Sequence, residues 1–169
     1  MNKKIVIKNV VLRYPNLSRK REDTSGNNRL SKYGTSIVIS KNDTETLAII
    51  NEAINDALAA GNLSDTDGIN LPLREGDFNN SGDRIIENSL YFYASSFIKP
   101  KVVDKKLNKT LLTDEYMHGQ YVNVSLTFSS YNVNGKKGVS AQLLNVQYLG
   151  KSRFDELSSD PADDFDVEK

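Results

Sequence analysis

Residues 90–101 read Leu-Tyr-Phe-Tyr-Ala-Ser-Ser-Phe-Ile-Lys-Pro-Lys. In a strand, alternate side chains share a face. Tyr91, Tyr93, Ser95 and Phe97 then line one side, and Leu90, Phe92, Ala94, Ser96 and Ile98 the other. The second set is a sufficient core face. The first presents three rings in a row, followed at once by Lys99 and Lys101. Rings beside ammonium groups suit single-stranded nucleic acid. A base stacked on a ring gains about 1–3 kcal/mol, and the phosphates attract the cations. Every base has such a face, so the binding tolerates sequence. A strand buried on both sides would instead put Tyr91 or Phe97 in the core, where aromatic rings usually sit.

A second group of cations precedes it. The polar stretch 18–34 carries Arg19, Lys20, Arg21, Arg29 and Lys32, with Tyr33 at its end. Basic side chains on a loop can close over a phosphate backbone, and the release of counterions makes such binding weaken steeply with salt. The plainer alternative is a solvated loop. Tyr131, Lys136 and Lys137 sit at a hairpin tip and would extend the same groove, although hairpin tips are often polar for turn reasons alone.

Catalytic and metal chemistry find little support. Asp65, Asp67, Glu75, Asp77 and Asp83 are concentrated in one segment, and Asp65-Thr66-Asp67-Gly68 is like the start of a calcium loop. The glutamate that should close a 12-residue loop is missing, and Asp with Gly more often makes turns. His118 is the only histidine and there is no cysteine, which excludes disulfides, thiol catalysis and any zinc site needing two such ligands. No phosphate-binding loop, nucleophile elbow or paired-histidine motif occurs. No metal, no cofactor and no catalytic residue is expected.

The net formal charge of zero is a cancellation. Residues 1–40 hold nine bases and two acids, and residues 41–90 three bases and ten acids. Residues 91–153 hold nine bases and three acids, and residues 154–169 seven acids and one base. The chain to Arg153 therefore carries +6 and the last sixteen residues −6. Such asymmetry points to a polyanion-binding body with an acidic interaction tail. A tethered −6 segment would compete with a nucleic acid for the basic body at high effective concentration.

The elements that must position these groups follow from pattern. Residues 5–13 and 35–40 are rich in β-branched residues and read as strands. The first ends at Tyr14-Pro15-Asn16-Leu17, because proline cannot extend a central strand. Asn42-Asp43-Thr44-Glu45 opens a helix, and Leu47, Ile50, Ile54, Ala57 and Leu58 repeat at helical spacing. Gly61 stands where a left-handed cap is wanted. Residues 62–88 read as a long loop. Residues 90–98 are a strand, with 102–103 continuing it after a bend, and 105–114 hold a hairpin turn. Val122, Val124, Leu126 and Phe128 alternate toward a core in 121–129. Asn134-Gly135 is a hairpin turn, and 138–149 returns as the partner strand. Residues 154–169 are too polar to fold and are expected to be disordered. The fold class is mainly β: an OB-like antiparallel barrel over 1–153 with one principal helix.

The chain resembles a known family. The pieces that carry the likeness are Tyr14-Pro15-Asn16-Leu17, Lys32-Tyr33-Gly34, the helix at 43–60, and Leu71-Pro72-Leu73-Arg74-Glu75-Gly76-Asp77. Residues 116–124, 138–147 and the acidic Ala162-Asp163-Asp164-Phe165-Asp166 complete it. In that order they resemble the phage single-stranded DNA-binding proteins of the short-tailed coliphage replication type. The nearest branch is one from phages of Gram-positive and other bacteria, long labelled only as a domain of unknown function. The resemblance implies an OB-like barrel that coats single-stranded DNA during replication and recombination, often as a homodimer, in the host cytoplasm. It implies that Asp163, Asp164, Phe165 and Asp166 contact replication proteins such as polymerase and helicase-primase. It adds Arg74 to the candidate DNA contacts. The best-known relatives end on an aromatic residue, whereas Phe165 here is followed by Asp166-Val167-Glu168-Lys169.

Two other classes compete with a binding protein. One is a magnesium-dependent nuclease using the acidic segment 62–88. The other is a phage structural or assembly protein, in which the barrel is an interaction module. No apolar run is long enough to cross a bilayer, and the basic N-terminus turns polar too soon for a signal peptide.

Overall fold

The computed structural model describes residues 3–21, 31–63 and 68–168. Strand β1 (Lys4–Asn16) leads to β2 (Tyr33–Ser40) and helix α1 (Thr44–Ala60). Then come β3 (Ile69–Asn70), β4 (Arg74–Glu75), α2 (Phe78–Ser81), a 3-10 turn (Arg84–Ile86), β5 (Ser89–Ser96) and β6 (Lys101–Val103). Helix α3 (Asp114–Met117), the long hairpin β7 (Gln120–Val133) and β8 (Lys136–Ser152), and short helices α4 (Arg153–Leu157) and α5 (Pro161–Asp164) complete the chain. The stretch 62–88, read as a loop, thus holds short elements.

Five strands close a barrel. Around the ring the order is β1, β2, β5, β8, β7 and back to β1. All contacts are antiparallel except β5 with β8, where Ala94 lies beside Ala141. In chain order of these five the ring is first, second, third, fifth, fourth, the Greek-key connection of an OB barrel. The expected mainly-β, OB-like class holds.

The alternations that predicted strands also fill the core. Val122, Val124, Leu126 and Phe128 are buried, as are Phe92 and Ala94 of β5. Phe92 and Phe128 meet with ring centroids 5.4 Å apart. Helix α1 adds Ile50, Ile54, Ala57 and Leu58 to the same core. Asp43 caps it, accepting from the Thr46 N–H at 3.1 Å. Gly61 ends it, but with φ −92° rather than left-handed; Asn62 is the left-handed residue, at φ 54°. The glycine is needed for closeness instead, since a Cβ there would strike the Ser130 side chain. The Asn134-Gly135 turn has both residues at positive φ, as a two-residue hairpin of this hand requires.

Strand β1 is broken by two irregularities. Between Ile7 and Val10 the register slips, and Asn9 takes φ 56° with its N–H donated to Asn123 Oδ1 at 3.1 Å. Inward residues change from Ile5 and Ile7 to Val10 and Leu12. The second slip, between Arg13 and Asn16, puts Tyr14 at φ 49°. Such bulges bend a strand and let a small barrel close.

The expectation of disorder from Phe154 needs correction. Ser152 caps α4 by accepting from the Phe154 N–H at 3.1 Å, and Arg153 pairs with Glu156 at 2.9 Å. The Phe154 ring lies against Gly119 and His118. The Phe154 ring, with Glu156 reaching back to Lys151 of β8 at 3.8 Å, holds this turn on the barrel. Beyond Leu157, α5 buries nothing.

Candidate nucleic-acid interface

The outer face of β2 and β5 carries the predicted rings. Register sets its rows. Val38 stands opposite Tyr91, Ser36 opposite Tyr93 and Gly34 opposite Ser95. On the far side of β2, Arg13 pairs with Ser36, and on the far side of β5, Arg74 pairs with Tyr91. Small residues on β2 leave room for large ones on β5. A Cβ on Gly34 would approach Tyr93 Cζ to 2.7 Å, so the absent side chain lets the Tyr93 ring lie across the sheet. Tyr93 is 43 % exposed and Phe97 52 %.

Cations sit over Phe97 and over Tyr33 at the same end of the sheet. Lys32 Nζ is 4.5 Å from the Phe97 centroid and Lys20 Nζ 5.8 Å from that of Tyr33. The two sides of the basic loop are tied where Arg21 N–H donates to the Lys32 carbonyl at 2.9 Å. Its root is fixed by Asp114, whose carboxylate accepts from Leu17 N–H at 2.8 Å, Ser18 N–H at 3.0 Å and the Ser18 hydroxyl at 2.7 Å. Arg19, Lys20, Arg21 and Lys32 are exposed at the end of β5 where Phe97 emerges. Arg29 lies outside the described residues, as do Asp65 and Asp67.

Not every predicted ring is free. Tyr91 is half-buried in a second small core with Val11, Val38, Ile85, Ile86 and Tyr121. The 3-10 turn that supplies Ile85 and Ile86 covers that end of the face. Asp83 caps the turn through the Ile85 N–H at 3.0 Å and pairs with Arg13 at 2.7 Å. Tyr131, at the β7–β8 tip, receives a hydrogen bond from Asn70 at 3.2 Å and lies over Gly138. Because β8 runs parallel to β5, this tip and its Lys136 and Lys137 lie toward the opposite end of β5 from the basic loop. Lys99 and Lys101 are exposed beyond Phe97 and line a separate hollow.

Three residues escaped the sequence reading. Tyr14 is 61 % exposed and stacks on His118, centroids 4.7 Å apart and planes 21° apart. Its N–H donates to His118 Nδ1 at 2.9 Å, which holds a backbone conformation that a bulky residue rarely adopts. Burial, and then the Arg13 charge, lower the His118 pKa from its ordinary 6.5, against an opposing pull from Asp83. The Arg13 guanidinium lies over both Tyr14 and Tyr91, at 5.1 and 5.6 Å. Only Pro15, which marks a strand irregularity, hinted that Tyr14 is turned outward.

In an OB barrel the face of the second and third strands, with the loops joining strands one to two and four to five, is where oligonucleotides bind. Those are the β2–β5 face, the 17–32 loop and the β7–β8 tip. The family model described as "Enterobacter phage Enc34, ssDNA-binding protein" matches residues 3–169. Among solved structures, the single-stranded DNA-binding protein from bacteriophage Enc34 in complex with ssDNA is similar, at 19% identity and TM-score 0.71, over 86% of this chain and 85% of that one. The gp2.5 single-stranded DNA-binding protein encoded by bacteriophage T7 is similar at 15% identity and TM-score 0.63, over 98% of both chains. No curated protein sequence matches the chain.

Proposed function

The chain belongs to the family of the Enterobacter phage Enc34 single-stranded DNA-binding protein, and from that membership we propose that it binds single-stranded DNA non-enzymatically. The observation that carries the reading is the joint placement of exposed Tyr93 and Phe97 with Lys32 on the outer β2–β5 face, beside the Arg19-Lys20-Arg21 loop. Bases stack on the two rings. Phosphates meet the loop cations, and no base edge is read, so the binding tolerates sequence. A duplex keeps its base faces stacked inside and offers those rings nothing.

In this reading the protein coats and protects single strands during phage DNA replication and recombination. The acidic tail serves protein partners of the replication machinery, polymerase and helicase-primase among them. Supporting this, Asp163, Asp164, Phe165 and Asp166 are all exposed, with Phe165 a solvated ring inside an acidic run. The same segment competes with DNA for the basic face. No helix among the described residues is long and apolar enough to cross a membrane.

The test is fluorescence anisotropy of a labelled oligo-dT with the full chain, at low and moderate salt, with duplex as competitor. Tight, salt-weakened binding that duplex fails to displace is expected. No binding, or a preference for duplex, would overturn the proposal. A version ending at Ser158 keeps α4 and its contacts and removes five of the tail's seven acids, Asp160, Asp163, Asp164, Asp166 and Glu168. It should bind more tightly at low salt, and unchanged affinity would remove the competition from the account.

A further inference from the structure

A hollow of about 270 Å³ opens beyond the end of β5. Its floor is apolar, made by Leu17 and Met117 from the core together with Pro100 and Leu112. Three ammonium groups, Lys99, Lys101 and Lys109, stand around it, and among the described residues none of them is in an ion pair. Thr110 lines it as well, and its Oγ1, shielded from water, has no hydrogen-bond partner among the described residues.

The walls are set before any ligand arrives. On one side Asp114 pins Leu17 and Ser18 with three hydrogen bonds. On the other, β6 pairs with β8 through Lys101 beside Asn145, and Lys109 returns antiparallel to Val103. The intervening turn is tied by Asp104, whose carboxylate accepts from the Lys106 and Asn108 N–H groups at 2.9 Å each. Thr110 N–H donates to the Val102 carbonyl at 3.0 Å. Lys101 and Lys109 are thus held on the two limbs of one tight hairpin.

An apolar floor below a ring of cations selects a flat apolar body that carries negative charge on its flanks. A nucleotide within a strand has that form. The hollow is separate from the stacking face but next to it along the chain: Lys99 follows Phe97 by two residues, and Ser18 is the residue before Arg19. Its size is at the small end for a ligand site, room for one ring system rather than for two stacked bases. We propose that this hollow takes a single base of the bound strand, pulled out of stacking with its neighbours, with the flanking phosphates held by Lys99, Lys101 and Lys109. The inference rests on the single-stranded DNA reading and adds a subsite to it. Among the described residues no aromatic ring lines the hollow, so the base there is held by apolar contact. The Tyr93–Phe97 face works the other way, by stacking.

That contrast supplies the test. Oligo-dT carrying a single 2-aminopurine is scanned position by position with the full chain. Stacking quenches this base, whereas a base isolated in an apolar hollow becomes bright. One bright position per binding site is expected, with quenching at its neighbours on the stacking face. Leu112→Trp fills the hollow and should abolish the bright position while leaving oligo-dT binding in place. A second variant, with Lys99, Lys101 and Lys109 all changed to Gln, covers the case in which the first does not fold. It should also abolish the bright position, and it should lower the salt slope of binding by roughly two. Binding with no bright position, or a bright position that survives a folded variant, would overturn the subsite. A failure of the single-stranded DNA reading looks different, since no oligonucleotide would then raise the anisotropy at all.

Discussion

The two ends of β5 began as one pattern and meet different fates. Tyr91 and Phe97 share a strand face by period, and both have a cation nearby. At the Tyr91 end the ring is roofed by Ile85 and Ile86, and its cation, Arg13, is held by Asp83. At the Phe97 end nothing among the described residues roofs the ring, and its cation, Lys32, is exposed. The side chains alone therefore do not make an interface. What decides is whether a distant segment, here the turn at 84–86, has apolar residues to lay over the strand. The closed end supports the sheet, and the open end is left for a ligand.

The largest expected effect lies at the open end. Tyr93→Ala and Phe97→Ala should each weaken oligo-dT binding by about 1–3 kcal/mol, roughly five- to 150-fold, with the melting temperature little changed. Anisotropy titrations beside thermal melts read both quantities. Tyr91→Ala should invert the result. Loss of a half-buried ring from the second core is expected to cost about 2 kcal/mol of stability, below the cost for a fully buried aromatic residue. Affinity at a temperature where the variant is folded should change less than for Tyr93→Ala. If Tyr91→Ala binds as poorly as Phe97→Ala and melts normally, the roof over Tyr91 is not closed in solution and the comparison fails.

A smaller effect tests the loop. Replacing Arg19, Lys20 and Arg21 by Ala removes up to three phosphate contacts. For single strands the slope of log affinity against log salt should shrink by roughly 0.7 per lost contact. The loss in affinity should be large at low salt and fade at high salt. An unchanged slope would mean that the loop is merely solvated.

Much of this was legible in the sequence because the signals were periodic and local. The alternation of Val122 to Phe128, the helical spacing of Ile50, Ile54 and Leu58, and the Asn134-Gly135 turn each state their geometry within a few residues. The same period of two put Tyr91, Tyr93 and Phe97 on one face, without telling which of them stays exposed. The missing parts depend on contacts distant in sequence. Tyr91 is covered by residues six positions upstream whose fold-back is set by Asp83 reaching Arg13, seventy residues earlier. Tyr14 is turned outward by a bulge whose partner, His118, lies 104 positions away. Phe154 is drawn out of the polar tail by the bare surface of Gly119. None of these leaves a mark on local composition.

The weakest effect belongs to the closed end and concerns pH. His118 accepts the Tyr14 N–H at Nδ1 and is held below its ordinary pKa of 6.5, first by burial. The neutral ring is thus the form that the fold prefers, and the unfolded chain binds the proton more readily. The stabilisation is fully present above the unfolded value near 6.5 and is lost as pH falls through the lower folded value. Protonation also sets an Nδ1–H against the Tyr14 N–H, two donors face to face, so the stack should loosen. Thermal melts at about pH 7.5 and about pH 5.5 should therefore show acid destabilisation that His118→Gln reduces. The remaining slope in that variant belongs to the carboxylates. The chain has no second histidine, so the loss on acidification of Tyr93-dependent affinity should be the same in both proteins. If His118→Gln melts with an undiminished acid slope, the histidine is not held neutral by the Tyr14 bulge, and that bulge must be kept by packing alone.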